Sequence, residues 1–135
     1  MSLKEYVAAL EALIAATPFV AATSLSYEER PPTAGLIKGA IVFTDGSQLD
    51  FKEFLITQPT AIVFKYAYNY RLENHLLFRD DNASDPAARN LLTYPSHKHV
   101  SSGISDAEKP SLEQVREPIL TSCAFMLSYL YHILF

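Results

Sequence analysis

Arg79, Asp80, Asp81 and Asn82 stand together in the stretch Phe78-Arg79-Asp80-Asp81-Asn82-Ala83, and His97, Lys98 and His99 close the stretch Tyr94-Pro95-Ser96-His97-Lys98-His99. Two histidines two apart point the same way in extended backbone, with Lys98 opposite. Histidine titrates near neutral pH, so such a pair can hold opposite protonation states, one taking a proton and the other giving one. RNA cleavage through the ribose 2′-hydroxyl needs that pair and a cation to stabilise the phosphorane, for which Arg79 and Lys98 are available. Asp81 is placed to orient an imidazole or to pair with Arg79, although Asp and Asn at a strand end also bond their own backbone to start a turn. His97, His99 and Asp81 would make a three-ligand metal set open to water, but His-x-His alone is a weak signal. The expectation is therefore no metal and no cofactor.

The segments before these residues must position them. Ile62, Phe64, Tyr66, Tyr68 and Tyr70 alternate with Val63, Lys65, Ala67, Asn69 and Arg71, the period of a strand. Tyr66, Tyr68 and Tyr70 would stack an unpaired base or hydrogen-bond a phosphate. The same alternation also suits a half-buried core sheet. A turn at Glu73-Asn74 returns the chain through Leu76 to Asp81. A two-residue tip would set Tyr70 opposite Leu77, Tyr68 opposite Arg79 and Tyr66 opposite Asp81, so that tyrosines and charges share one face. Upstream, Asp45-Gly46 between Leu36–Thr44 and Ser47–Ile56 signals a hairpin with a type I′ turn, and Val20–Glu29 reads as a strand ended by Pro31-Pro32.

Leu3, Tyr6, Val7, Leu10, Leu13 and Ile14 form one stripe of a helix over residues 3 to 16, with Ser2 and Glu5 at capping-box positions and Pro18 as its stop. Residues 83 to 110 lack periodicity and read as a long connection. After Pro110-Ser111, with Gln114 at the capping position, an apolar run from Val115 to Leu134 predicts a long helix that Pro118 kinks or restarts. The fold class is α+β. An N-terminal helix, an antiparallel sheet of about five strands in a meander of hairpins, and a long C-terminal helix packed on the sheet make one domain of residues 1–135.

Residues 119 to 135 are apolar nearly all round, but 17 residues interrupted by Thr121, Ser122, Ser128 and His132, without a flanking basic cluster, do not favour a membrane span. A helix buried on the sheet on one side and on a second copy on the other explains the pattern, so a homodimer through the C-terminal helix is expected. Of 135 residues, 49% are hydrophobic and 19% charged, the balance of a folded chain. A net charge of −4 argues against a large basic surface for non-specific DNA binding, leaving a local strip of Lys65, Arg71, Arg79 and Lys98. The single cysteine, Cys123, forms no internal disulfide and points to a reducing compartment. With no signal-peptide pattern at the start, a cytoplasmic location is expected.

The Phe-Arg-Asp-Asp-Asn-Ala stretch, the later His97-Lys98-His99 and the preceding Tyr66-x-Tyr68-x-Tyr70 strand together resemble the TumE-type toxin family of bacterial and archaeal toxin–antitoxin systems. That family shows a Phe-Arg-Tyr-Asp-Asn-Ala stretch and a His-His-Lys-His motif. Asp80 stands where the family has tyrosine, Ser96 where it has the first histidine, and Ser84-Asp85 where histidines commonly follow Asp-Asn-Ala. The resemblance implies a small toxin encoded beside a helix-turn-helix antitoxin protein and acting as a ribonuclease. It carries Arg79, Asp81, Asn82, His97, Lys98 and His99 over as site residues. On this reading His97 and His99 are the metal-independent acid–base pair, assisted by Arg79, Lys98 and Asp81, with Tyr66, Tyr68, Tyr70 and Asn82 binding the RNA. The alternative is a non-catalytic dimeric binding or assembly module, an inactive relative.

Overall fold

The computed structural model describes residues 1–134. Helix α1 (Leu3–Ala15) leads into strands β1 (Val20–Arg30), β2 (Ala34–Phe43), β3 (Ser47–Ile56), β4 (Ile62–Leu72), β5 (His75–Asp81), β6 (His97–Val100) and β7 (Gly103–Asp106), and helix α2 (Leu112–Leu134) follows. All the strands join one antiparallel sheet in chain order, β1 to β7. Each strand pairs with its sequence neighbours, so every connection is a hairpin or a short excursion.

Seven strands replace the expected five or so, because β6 and β7 lie inside the segment read as a connection. Each is four residues long, too short to show a period, and the pair turns at Ser101-Ser102 before Gly103, whose φ is 135°. The two Asp-Gly and Glu-Asn turns fall where expected. Only Gly46 of the first has a positive φ, 86°, so that hairpin closes through Thr44, Asp45 and Gly46 rather than through a type I′ pair.

The β4–β5 tip does have two residues, Glu73 and Asn74, with Leu72 opposite His75. The expected register is nevertheless overturned. A bulge pairs Arg71 with Leu76 but Tyr70 with Phe78, and the extra residue, Leu77, moves the rest of β5 by one position. Tyr68 therefore faces Asp80, Asn69 faces Arg79 and Ala67 faces Asp81. In a structure of period two, that single step places Arg79 and Asp81 on the sheet face opposite the tyrosines.

Both helices cover the tyrosine face. Leu3, Val7, Leu10 and Ile14 of α1 and Leu112, Val115, Ile119 and Cys123 of α2 join Ile37, Ile41, Phe43, Leu49, Phe51, Leu55 and the three tyrosines in one core. Each buried aliphatic side chain contributes about 1.5–3 kcal/mol, which outweighs helix propensity in holding α1 on the sheet. Ser2 caps α1 by accepting from the Glu5 N–H at 3.2 Å. Ser111 and Gln114 form the expected reciprocal box at the start of α2, at 3.0 and 3.2 Å. Gly39 lies opposite Phe51, whose ring would collide with any Cβ there.

Helix α2 runs through Pro118 as one element, and only its first half packs on the sheet. Beyond Cys123, Phe125, Leu127, Tyr129, Tyr131, Ile133 and Leu134 are exposed. Among the described residues, no helix is long and apolar enough to cross a membrane.

Candidate functional site

The two faces of β4 and β5 sort the candidate residues. On the covered face Tyr66, Tyr68 and Tyr70 are at most 5% exposed, and each hydroxyl is bonded. Tyr66 donates to Ser96 Oγ at 2.9 Å, Tyr70 to Ser47 Oγ at 2.8 Å, and Tyr68 to the buried carboxylate of Glu53. Tyr6 from α1 donates to the same carboxylate at 2.7 Å. Burial raises the Tyr66, Tyr68 and Tyr70 hydroxyls above their ordinary range, and the Glu53 charge adds to it at Tyr68. Of the two readings open to these residues, the structure takes the core one: their rings are packed under the helices and offer no face to a base.

Lys98 belongs to this side as well. It lies opposite Asp80, with Nζ 4.4 Å from the centre of the Phe78 ring, and it points away from the histidines on either side of it. Asp80 is 6% exposed, and burial raises its carboxyl above the ordinary range despite Lys98. Asn82 acts as a clip: Oδ1 accepts from the Tyr66 N–H at 3.0 Å and Nδ2 donates to the Phe64 carbonyl at 2.8 Å. With both ends of its amide engaged, Asn82 extends the ladder, and it also lines the groove beside Arg79.

The open face gathers Arg79, Asp81, His97 and His99. Across β4, β5 and β6, Ala67 pairs with Asp81 and Asp81 with His97, while Asn69 pairs with Arg79 and Arg79 with His99. Arg79 Nε donates to Asp81 Oδ2 at 2.8 Å, and the Ala83 N–H donates to Oδ1 at 2.9 Å. His97 Nε2 lies 3.2 Å from Asp81 Oδ1, and His99 Nε2 lies 3.7 Å from Oδ2 and 3.8 Å from Asp85 Oδ2. The imidazoles meet edge to face, with centres 4.8 Å apart.

The connection before β6 folds over this end of the face. Thr93 accepts from the Ala107 N–H at 3.0 Å and donates to the Ser96 carbonyl at 2.7 Å, which ties the connection to the strand pair. Asp85 accepts from the Ala87 N–H at 2.9 Å and starts the turn Pro86–Ala88. The Pro95 carbonyl receives His97 Nδ1 at 2.6 Å. As a result the His97 side chain has no exposed surface, while His99 keeps 28%.

A cationic trough leads to the cluster. Lys38 and Lys52 are direct cross-strand partners, and Lys52 in turn lies opposite Ala67, which lies opposite Asp81. A groove of about 230 Å³ is lined by Lys52, Phe54, Lys65, Arg79, Asp81 and Asn82, and one of about 270 Å³ beside it by Lys38, Asp50, Lys52, Asn69 and Arg79. Arg71 is removed from the expected basic strip by its ion pair with Asp50 at 3.0 Å, and Lys98 by its direction; Lys38 and Lys52 take their places. Like charges set opposite each other on a sheet oppose folding and favour an anionic occupant. Sequence reading missed these two lysines because only the β2–β3 register reveals the pair. It missed Asp85 for a related reason, since only folding of the connection brings that carboxylate to His99.

A helix-backed antiparallel sheet with an imidazole–carboxylate cluster at the end of a basic trough defines a small α+β protein whose candidate site lies on the uncovered face. The family model described as Toxin TumE matches residues 10–126, so the chain belongs to the TumE toxin family. It is thus related to the toxins of toxin–antitoxin systems, and an antitoxin is its implied partner. No curated protein and no solved structure matches the chain.

Proposed function

We propose that this TumE-family chain is an RNA-cleaving toxin whose reacting centre is Arg79, Asp81, His97 and His99 on the open face. The observation that carries the reading is the continuity of the basic trough, through Lys38, Lys52, Lys65 and Arg79, with that cluster. A single-stranded backbone laid along it would bring its phosphates past the lysines to Arg79. Two of the three departures from the family motif lie away from the cluster, and the third sets Asp85 in place of a histidine against His99. Asp80 and Ser96 both project to the covered face, beside Lys98 and Tyr66, whereas Arg79, Asp81, His97 and His99 keep the motif on the open face.

The enclosure of His97 changes the division of labour expected from sequence. An imidazole with no exposed surface does not take a proton from a ribose hydroxyl, so His97 supports the cluster and His99 is the imidazole through which it meets the substrate. Arg79 supplies charge for the phosphorane. The test is induced expression of wild type and His99→Ala with growth and total RNA integrity as readouts. Loss of both arrest and RNA decay in the variant supports the reading, and unchanged decay overturns it.

An RNA target places the action in the cytoplasm, opposed there by a helix-turn-helix antitoxin. The exposed second half of α2 suits a homodimer contact, since it shows apolar residues on every side. Light scattering on wild type and on Leu127→Glu/Leu130→Glu checks this: a dimer that becomes a monomer is expected, and a wild-type monomer removes the contact. A non-catalytic module would retain that dimer yet leave RNA intact.

A further inference from the structure

His97, like Arg116, buries a side-chain nitrogen that has no bonded partner among the described residues. A carbonyl oxygen only accepts, so the 2.6 Å contact with the Pro95 carbonyl fixes the His97 proton on Nδ1. In the neutral ring this leaves a bare lone pair on Nε2. That atom is fully buried and has no hydrogen-bond partner; Asp81 Oδ1 is 3.2 Å away but out of line for a bond. A lone pair buried against a carboxylate oxygen is repulsive unless something positive lies between them.

We infer that Asp81, His97 and His99 hold a divalent transition-metal cation. One ligand atom from each of Asp81, His97 and His99 lies within 4.8 Å of the others, and Asp85 Oδ2 is 3.8 Å from His99 Nε2. Two imidazoles and one carboxylate are a borderline donor set suited to zinc with a position left open, and unlike the all-oxygen shell that magnesium or calcium takes. The surroundings orient the ligands. The Pro95 carbonyl fixes the His97 tautomer, while Arg79 and the Ala83 N–H hold the two oxygens of Asp81.

The inference deepens the proposed function and rests on it for its consequence, though not for the binding itself. A cation held there would take both imidazoles as ligands, so His99 would act on the substrate through the metal it helps to hold, which would supply Lewis-acid charge beside Arg79.

The experiment titrates the metal-stripped chain with Zn2+ by calorimetry and follows thermal unfolding with and without Zn2+, for wild type, His99→Ala, Asp81→Asn and Lys98→Ala. One Zn2+ per chain and a raised unfolding temperature are expected for wild type and Lys98→Ala, because a ligand of the folded state alone stabilises it. Both effects should be lost in His99→Ala and weakened in Asp81→Asn. His99 is partly exposed, so its variant folds even where a change at buried His97 would not. Absence of Zn2+ uptake by wild type, or uptake that survives His99→Ala, overturns the inference. Metal bound with RNA left intact keeps the site and removes the ribonuclease reading, whereas RNA cleaved by metal-stripped protein in chelator keeps the ribonuclease and overturns the metal's part in the reaction.

Discussion

The covered and open faces of the sheet both carry ionisable residues, yet they treat them in opposite ways. On the covered face the buried Glu53 carboxylate receives the hydroxyls of Tyr6 and Tyr68, and Tyr70 is bonded to Ser47. Every one of those polar groups has its partner inside the fold. On the open face Lys38 is set against Lys52, and His97 Nε2 has no bonded partner. Folding alone selects the first arrangement and penalises the second. On the open face, the groups left unsatisfied by their own structure are therefore the ones assigned to a ligand.

If that contrast holds, variants on the covered face should cost stability and variants on the open face should cost activity. The largest expected effect is Tyr68→Ala, which removes a 1%-exposed ring from the centre of the core and should cost about 3–5 kcal/mol in denaturant unfolding. Next is Glu53→Gln. It preserves volume but replaces the charged acceptor of two hydroxyls, and a loss of about 1–3 kcal/mol is expected from the same measurement. An unchanged midpoint would remove Glu53 from the framework.

Asp80→Asn should act in the other direction and by less. Burial raises the folded-state pKa of Asp80 above its unfolded value, so its carboxyl favours folding below the ordinary range, near about 4, and that contribution is lost as pH rises through the folded value. The variant is therefore expected to be the more stable at pH 7, with the advantage vanishing below pH about 4. Unfolding curves at both pH values decide it, and an advantage that grows on acidification would refute the sign. Lys52→Ala should have the smallest effect on stability, within about 0.5 kcal/mol of wild type, because it relieves an opposition of like charges. It should reduce the salt dependence of RNA binding by about one phosphate contact.

Local chemistry made much of this fold legible. Ser47–Ile56 and the stripe of α1 were readable because turn residues and a helical period declare them within a few positions. The shared direction of His97 and His99, with Lys98 opposite, followed from period two alone. What was not readable depended on distant pairing. The bulge at Leu77 has no local signal, yet it moves Arg79 and Asp81 from the tyrosine face to the histidine face. Strands β6 and β7 form only because Asp81 and Arg79 offer an edge to His97 and His99. Their four residues apiece carry too little pattern to announce a strand.

His99 and Lys98 are adjacent in sequence and on opposite faces, which makes them the most direct comparison. Expressed side by side with wild type, His99→Ala should lose growth arrest and leave cellular RNA intact, while Lys98→Ala should retain both activities at matched protein levels. Retained toxicity in His99→Ala, or its loss in Lys98→Ala alone, would contradict the assignment of function to the open face.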